Sequence, residues 1–465
     1  MPCRATLAQL TEILNATSLN LLPELENKLT AGITTDTRTL QPGEIFLALR
    51  GENFDGHTFV AQAAAQGAIA AIVDLQFSTS EEHSKLNTQN SNFPLLQVTD
   101  TLQAYQLIAR WWRDQFTIPV IAVTGSVGKT TTKELIAAVL SLQGNALKSQ
   151  ANFNNEIGLP KTLLELDASH DFAVVEMGMR GRGEIALLSQ IARPDIAVIT
   201  NVGTAHIGRL GSEEAIAQAK CELLAEMPAT SIAILNHDNP LLLETAQTVW
   251  QGQTITYGLA GGDIYGELID LETLKVDGLK FPLPLPGQHN ALNYLAALAV
   301  AKVLGIDWAV LTTGLTIELP SGRAKCYELP DDIVILDETY NAGLESMLAS
   351  LQMLAQTPAK RRIAVLGTMK ELGDRSAEFH QRVGEMVQKL KLDGLLILAD
   401  AAEATAMATG AVPLIAEQFS SHAAVVERLQ ALVQPGDRLL FKASRAVGLD
   451  RVVDQFCREK NVQLN

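Results

Sequence analysis

An α/β protein of three domains built on parallel sheets is what this sequence predicts. Its 465 residues amount to roughly three domains at about 150 residues each. From residue 118 onward, short apolar, β-branched runs recur: "IPVIAV", "FAVVEM", "DIAVIT", "SIAIL", "DIVIL", "RIAVL", "GLLIL" and "DRLLF". Most are separated by helical-looking stretches, and that alternation reads as parallel sheets covered by helices on both faces.

In chain order, the first domain is expected over residues 1–115, a small α/β piece containing the polar stretch Ser78 to Asn92, read as a solvated loop. One break falls near Asp114 to Pro119 and a second near Leu319 to Gly322, where "ELPSGR" interrupts the pattern. They bound a central domain over 116–319 and a last domain over 320–465. Within the central domain, Lys133 to Leu142 and Glu213 to Met227 read as helices, and the Pro/Gly-rich Thr254 to Pro286 as a small antiparallel insertion. Open parallel sheets bind ligands beyond the carboxyl ends of their strands. The residues there are Thr124-Gly125, Glu176, Asn201, Asn236, Asp337, Gly367 and Lys442, a mostly polar set.

Composition excludes several classes of function. With 47% hydrophobic and 19% charged residues the chain can bury several cores, so disorder is not expected. A net charge of −16 repels a polyanion, making nucleic acid a poor partner while leaving a local phosphate pocket possible. Cys3, Cys221, Cys326 and Cys457 are scattered, with no C-x-x-C, which fits a reducing cytoplasm. The amino terminus has one basic residue among polar interruptions and does not read as a secretory signal. No apolar run approaches the ~20 residues needed to span a bilayer, so no membrane partner is expected.

The strongest local signal is "VTGSVGKTTTKE", Val123 to Glu134, between an apolar strand and a helix expected to begin near Thr131. The usual phosphate loop places a glycine four residues ahead of Gly-Lys; here that place is Val123 and the glycine is Gly125. Backbone N–H groups of Gly125, Ser126, Val127, Gly128 and Lys129, flanked by Thr124 and Thr131, can still wrap phosphate oxygens at a helix amino terminus. Lys129 would supply a charge for the outer phosphates and Thr130 a hydroxyl for Mg²⁺. Glu176, closing "FAVVEM", is a natural hard-oxygen ligand for the same ion, although strands also end in solvated acids.

Other motifs keep two readings. His206 and Lys220 lie fourteen positions apart and, seen alone, read as a structural histidine and a solvated lysine. Asn290 and Asn293 open a helix, either as caps or as amide contacts to a nucleotide. Arg323 in "LPSGRAK" is either a linker arginine in water or a guanidinium that clamps a phosphoryl group once domains close. Asp337 in "VILDETYNAG" could bind a ribose hydroxyl or cap the following helix.

Together these stretches resemble the Mur ligases, ATP-dependent amide-forming enzymes of peptidoglycan synthesis, whose own loop variant is the shortened "TGSVGKTT". The resemblance runs the length of the chain, through "DTRTLQPGEIFLALRGENFDGHTF", "GQHNALN", "SGRAK", "DETYNAG", "GTMKELG" and "FKASR". It implies a P-loop ATPase fold for the central domain and a Rossmann-like fold for the last. "ANFNNEIGLPKTLL", "ETYNAG" and "FKASR" look most like members that join D-alanyl-D-alanine to UDP-N-acetylmuramoyl-tripeptide.

The resemblance further implies roles for individual residues. Lys129 and Arg323 would stabilise the transferred phosphoryl group; Asn290 would contact the base side of ATP and Asp337 its ribose. Thr130 and Glu176 would hold one Mg²⁺, and His206 with Lys220 a second, the lysine as its Nζ-carbamate. Thr37, Arg38, Phe54 and His57 would meet the UDP-sugar. Asn152, Asn154 and Asn155 would face the sugar-peptide, and Tyr340, Asn341, Lys442, Ser444 and Arg445 the incoming dipeptide. The chain is expected to work as a monomer. Folylpolyglutamate synthetase or another Mur-type ligase would share the ATP site, and a P-loop switch would share the loop alone, although this chain lacks the Asn-Lys-x-Asp guanine motif.

Overall fold

The computed structural model describes residues 3–52, 54–77, 92–320 and 322–460. Most of the expected loop Ser78 to Asn92 lies outside the described residues. Among those described, no helix is long and apolar enough to cross a membrane.

The first sheet has five strands in the order Thr17–Leu19, Leu95–Val98, Ala70–Asp74, Ile45–Leu47, Ile33–Thr34. Only its Thr17–Leu19 edge pairs antiparallel. The chain leaves this sheet along the helix Thr101–Arg113, started by Asp100, whose carboxylate accepts from the Gln103 N–H. The break near Asp114 is a riveted joint. Buried Arg113 donates to the carbonyls of Ala192, Arg193 and Phe116 and to the Asp195 carboxylate, filling the orphan acceptors at the end of the helix Glu184–Ala192.

The central sheet runs Ala146–Lys148, Phe172–Glu176, Val120–Thr124, Ile196–Ile199, Ile232–Asn236, Gln253–Gly258, Ile264–Leu268, Thr273–Val276, Leu279–Pro282. Every pairing up to Ile264–Leu268 is parallel. The last three strands form an antiparallel meander. Thr254 to Pro286 is antiparallel in part, as expected, but no separate insertion: its first two strands pair in parallel with the central sheet, and the antiparallel meander extends the edge. Val120–Thr124 is buried at every position, as a strand covered on both faces must be. On one face pack the helices Lys129–Leu140 and Gln288–Val303, the latter buried over nearly all its middle because it lies between sheet and helix.

The third sheet runs Lys325–Leu329, Ile333–Glu338, Asp437–Lys442, Arg361–Gly367, Gly394–Leu398, Glu417–Phe419, parallel except at the Lys325–Leu329 edge. In the central sheet the order reverses beside Val120–Thr124, and in the third beside Asp437–Lys442. Both reversals open crevices at carboxyl ends, and the two crevices face each other.

Candidate functional site

The helix after Val120–Thr124 starts at Lys129, two residues earlier than expected, so the loop is only Gly125 to Gly128. Its shape is enforced. A Cβ on Gly125 would lie 1.9 Å from the Thr200 hydroxyl, and one on Gly128 (φ +83°) 2.5 Å from the Asn293 side-chain oxygen. The Val127 N–H donates to Asn201 Oδ1 at 3.0 Å, while Asn201 Nδ2 and the Thr200 hydroxyl both donate to the Val127 carbonyl. The Ser126 hydroxyl accepts from the Gly203 N–H at 2.9 Å, and Thr124 Oγ1 donates to the Met177 carbonyl.

Lys129 Nζ folds back onto its own loop and donates to the Gly125 carbonyl at 2.8 Å. Burial and the nearby Arg323 push its pKa below the ordinary lysine value, against the pull of Glu176. At the next residue, the Thr130 hydroxyl donates to Glu176 Oε2 at 2.8 Å, and Asn154 Nδ2 donates to Oε1 at 2.7 Å. Glu176 is 2% exposed, with buried Lys133 4.0 Å away. Lys133 also donates to the Ser149 carbonyl, and the Ser149 hydroxyl accepts from the Glu176 N–H.

These groups line one side of a cavity of about 850 Å³ between the central and last domains. Asn152, Asn155, His206 and Asn290 of the central domain, and Arg323, Tyr340, Asn341, Lys442, Ser444 and Arg445 of the last, also line it. The Arg323 guanidinium lies 4.0 Å over the Tyr340 ring, and its buried Nε has no hydrogen-bond partner. A buried donor left unpaired is costly, so the cavity is where its acceptor would come from. Lys442 donates to the Asn341 carbonyl at 3.2 Å and lies 3.5 Å from Glu338; burial holds its pKa down. The Ser444 hydroxyl donates to the Ala342 carbonyl, fixing the same turn.

His206 projects from the central domain with φ +67°, its Nδ1 2.5 Å from Glu371 of the last domain. Burial, then Lys129 and Lys220, lower its pKa against the pull of Glu371. Lys220 sits behind the wall on the helix Glu213–Ala225, 2% exposed, and no described residue hydrogen-bonds its Nζ. Burial first and the Lys129 charge second drive its pKa well below the ordinary value. The solvated-lysine reading is thereby excluded.

Three expectations are corrected. Asp337 does not reach the cavity: its carboxylate accepts from the Thr339 N–H and hydroxyl inside the fold, and burial raises its pKa. Alternation along the strand turns the neighbouring Glu338 to the cavity instead. Asn290 is not a helix cap; its amide donates to the Pro286 carbonyl, and Gly287 occupies the cap position. His57 is 3% exposed, with Nε2 accepting from the Asp74 N–H and Nδ1 donating to Asp55 at 2.7 Å, so it holds the first domain together.

The other first-domain candidates also lie away from the cavity. Thr37 is buried, Arg38 forms a bidentate pair with Asp36, and exposed Phe54 stacks on Phe59 at 6.3 Å. Reading the sequence placed Asn201 in the crevice without a role and missed Lys133, Glu345 and Glu371 as parts of the site. Asn201 stood at a strand end and Lys133 one turn past Thr130, but nothing local marks the two glutamates.

Among the described residues no group of three or more His, Cys, Asp and Glu side chains could hold a metal by itself. Mg²⁺ needs no such cage, since it binds through one or two carboxylates together with substrate phosphates. A buried carboxylate touching a hydroxyl in the first turn of the helix suits it.

Three stretches of the chain match models of one protein family. Residues 30–113 match the Mur ligase family catalytic domain, 123–301 the Mur ligase middle domain, and 322–445 the Mur ligase glutamate ligase domain. UDP-N-acetylmuramoyl-tripeptide–D-alanyl-D-alanine ligase of Synechocystis sp. is 61% identical, over 92% of each chain. A crystal structure of MurF from Acinetobacter baumannii matches with TM-score 0.87 at 31% identity, covering 98% of this chain and 99% of that one. MurF from Thermotoga maritima in complex with ADP matches with TM-score 0.81 at 30% identity, over 92% and 97%.

Proposed function

Because this chain belongs to the Mur ligase family, we propose that it uses ATP to join D-alanyl-D-alanine to UDP-N-acetylmuramoyl-tripeptide in peptidoglycan synthesis. The observation that carries this is one cavity in which a phosphate loop with Lys129 faces an arginine from another domain with an unpaired buried donor.

A carboxylate is too poor an electrophile to meet an amine directly. Here the terminal carboxylate of the tripeptide attacks the γ-phosphorus of ATP, its O–P bond forming as the bond to ADP breaks. The dipeptide amine then attacks the acyl carbon, loses a proton, and orthophosphate leaves. Lys129 exchanges its loop carbonyls for phosphate oxygens, the amino terminus of its helix adds positive potential, and Arg323 pairs from across the cleft. Glu338 or the turn it begins is better placed for the ribose than Asp337, and Asn290 stands on the base side.

Thr130 with Glu176, and His206 with a carboxylated Lys220, would hold two Mg²⁺ ions. When bound, these supply positive charge against the phosphoryl oxygens. In its neutral form the Lys220 amine would add CO₂ through its free electron pair and lose a proton, becoming an anionic oxygen donor; burial favours that form. An ammonium could not. Exposed Arg38 and Phe54 would offer a charge and a ring for the UDP-sugar, with Thr37 next to Arg38 in the chain. Asn152, Asn154 and Asn155 face the peptide, while Tyr340, Asn341, Lys442, Ser444 and Arg445 bound the dipeptide side. The chain acts as a monomer in the cytoplasm, where ATP is available.

Mass spectrometry of the product made from ATP, UDP-tripeptide and D-alanyl-D-alanine tests the reading. With the tripeptide carboxyl labelled with ¹⁸O, one labelled oxygen should appear in orthophosphate; its absence overturns the acyl phosphate. Lys220→Ala should be inactive and partly restored by small carboxylates. Full activity without them would remove the carbamate.

A further inference from the structure

We propose that Glu371 is a positioning residue that acts across the domain interface on His206, holding its ring so that the proton sits on Nδ1 and the Nε2 electron pair is free. The proposal deepens the reading of His206 as a metal-facing ligand and rests on it.

The contact is short and specific. Glu371 Oε2 lies 2.5 Å from His206 Nδ1, and Oε1 lies 3.6 Å from the Arg209 guanidinium. An ionised carboxylate only accepts, so Nδ1 must be the donor. A histidine that binds a metal through one nitrogen commonly gives its other N–H to such an oxygen, which fixes tautomer and ring orientation.

The backbone has been bent to deliver this carboxylate. Glu371 itself has φ +65°, and His206 has φ +67°, so residues on both sides of the bond occupy the left-handed region that most side chains avoid. The Glu371 carbonyl accepts from the Gly208 N–H at 3.1 Å. Gly208 and Gly373 meet backbone to backbone: a Cβ on Gly208 would lie 2.5 Å from the Gly373 nitrogen and 2.9 Å from the Glu371 oxygen. Two absent side chains thus let the last domain come close enough for Glu371 to reach its target.

Glu345 makes the contrasting contact. It also crosses the interface, accepting from the Thr204 N–H at 2.7 Å and from its hydroxyl, but it touches no ring. Glu345 fastens the domains, whereas Glu371 also orients a ligand. His206 is therefore correctly set only while the two domains are docked.

The test uses the full chain, without metal or nucleotide, and reads the His206 tautomer by ¹⁵N imidazole NMR, the resonance being assigned with His206→Asn. The wild type should show a single Nδ1–H form. Glu371→Ala should give a mixture, and so should Gly208→Val, which leaves the carboxylate in place but blocks docking. Glu371→Gln, whose amide oxygen still accepts, should keep the Nδ1–H form.

In turnover, Glu371→Ala should lower kcat by about 10- to 100-fold with KM for UDP-tripeptide little changed, and the glutamine variant should recover most of that loss. An unchanged tautomer in Glu371→Ala, or equal kcat losses for alanine and glutamine, would overturn the proposal. A wild type with the expected tautomer and no ligase product would instead refute the ligase reading alone.

Discussion

The cavity, expected from a contiguous motif, and the candidate surface of the first domain, expected from resemblance alone, have side chains in opposite states. Around the cavity, charges are desolvated and incompletely matched: Lys129 rests on its own loop carbonyls, Arg323 has an unpaired donor, and Lys220 has no hydrogen-bonding partner among the described residues. In the first domain the corresponding groups are satisfied by near neighbours, His57 by Asp55 and Asp74, and Arg38 by Asp36. Unspent binding capacity marks a place where a ligand completes the structure. Satisfied groups carry no such mark.

If that contrast is sound, substitutions on the two sides should fail differently. Lys129→Ala should cost the most, lowering dipeptide-dependent ADP release by about 10³-fold, the scale of losing one transition-state donor. Near-normal turnover would break the contrast at once. Gly125→Ala forces a side chain into the Thr200 hydroxyl and should weaken ATP binding by about 10- to 100-fold, the equivalent of 1–3 kcal/mol of overpacking. Calorimetric titration with ATP checks it.

Glu345→Ala removes two acceptors at the interface and should cost about tenfold in kcat/KM, with a more open particle by small-angle scattering. His57→Ala leaves the Asp74 N–H unpaired, so it should cost about 1–3 kcal/mol of stability in the first domain while KM for UDP-tripeptide stays within about twofold. A large rise in KM with normal stability would return His57 to the binding surface.

Asp36→Asn is the smallest effect. Arg38 lowers the Asp36 pKa from 3.8 to about 2. A depressed carboxyl adds stability above its unfolded pKa and loses it as pH falls through the folded one, so the variant should lack a stability slope between about pH 4 and 2. The pair is exposed, so the difference should stay under about 1 kcal/mol and shrink with salt.

What could be read from the sequence follows the distance over which each signal acts. The phosphate loop is contiguous, so strand, glycines, lysine and helix declare themselves in a dozen letters. Glu176 was legible because strands end where ligands bind. The Glu371 contact joins residues 165 positions apart, in two domains, and no local pattern encodes it. Asp337 and Glu338 were confused because an apolar run shows where a strand lies but not which face of a parallel sheet looks onto the cleft. His57 was misplaced because a matching stretch carries no information about burial. The edge strands from Ile264 to Pro282 looked detached because their alternating pattern differs from that of the fully covered strands beside them.

The meeting of Gly208 with Gly373 makes this enzyme vulnerable at a point that resembles none of its substrates. A compact molecule lodged there as a wedge would hold the cleft ajar. Because it competes with neither nucleotide nor peptide, raising their concentrations would not dislodge it directly, and resistance by adding bulk at either glycine would itself hold the two domains apart.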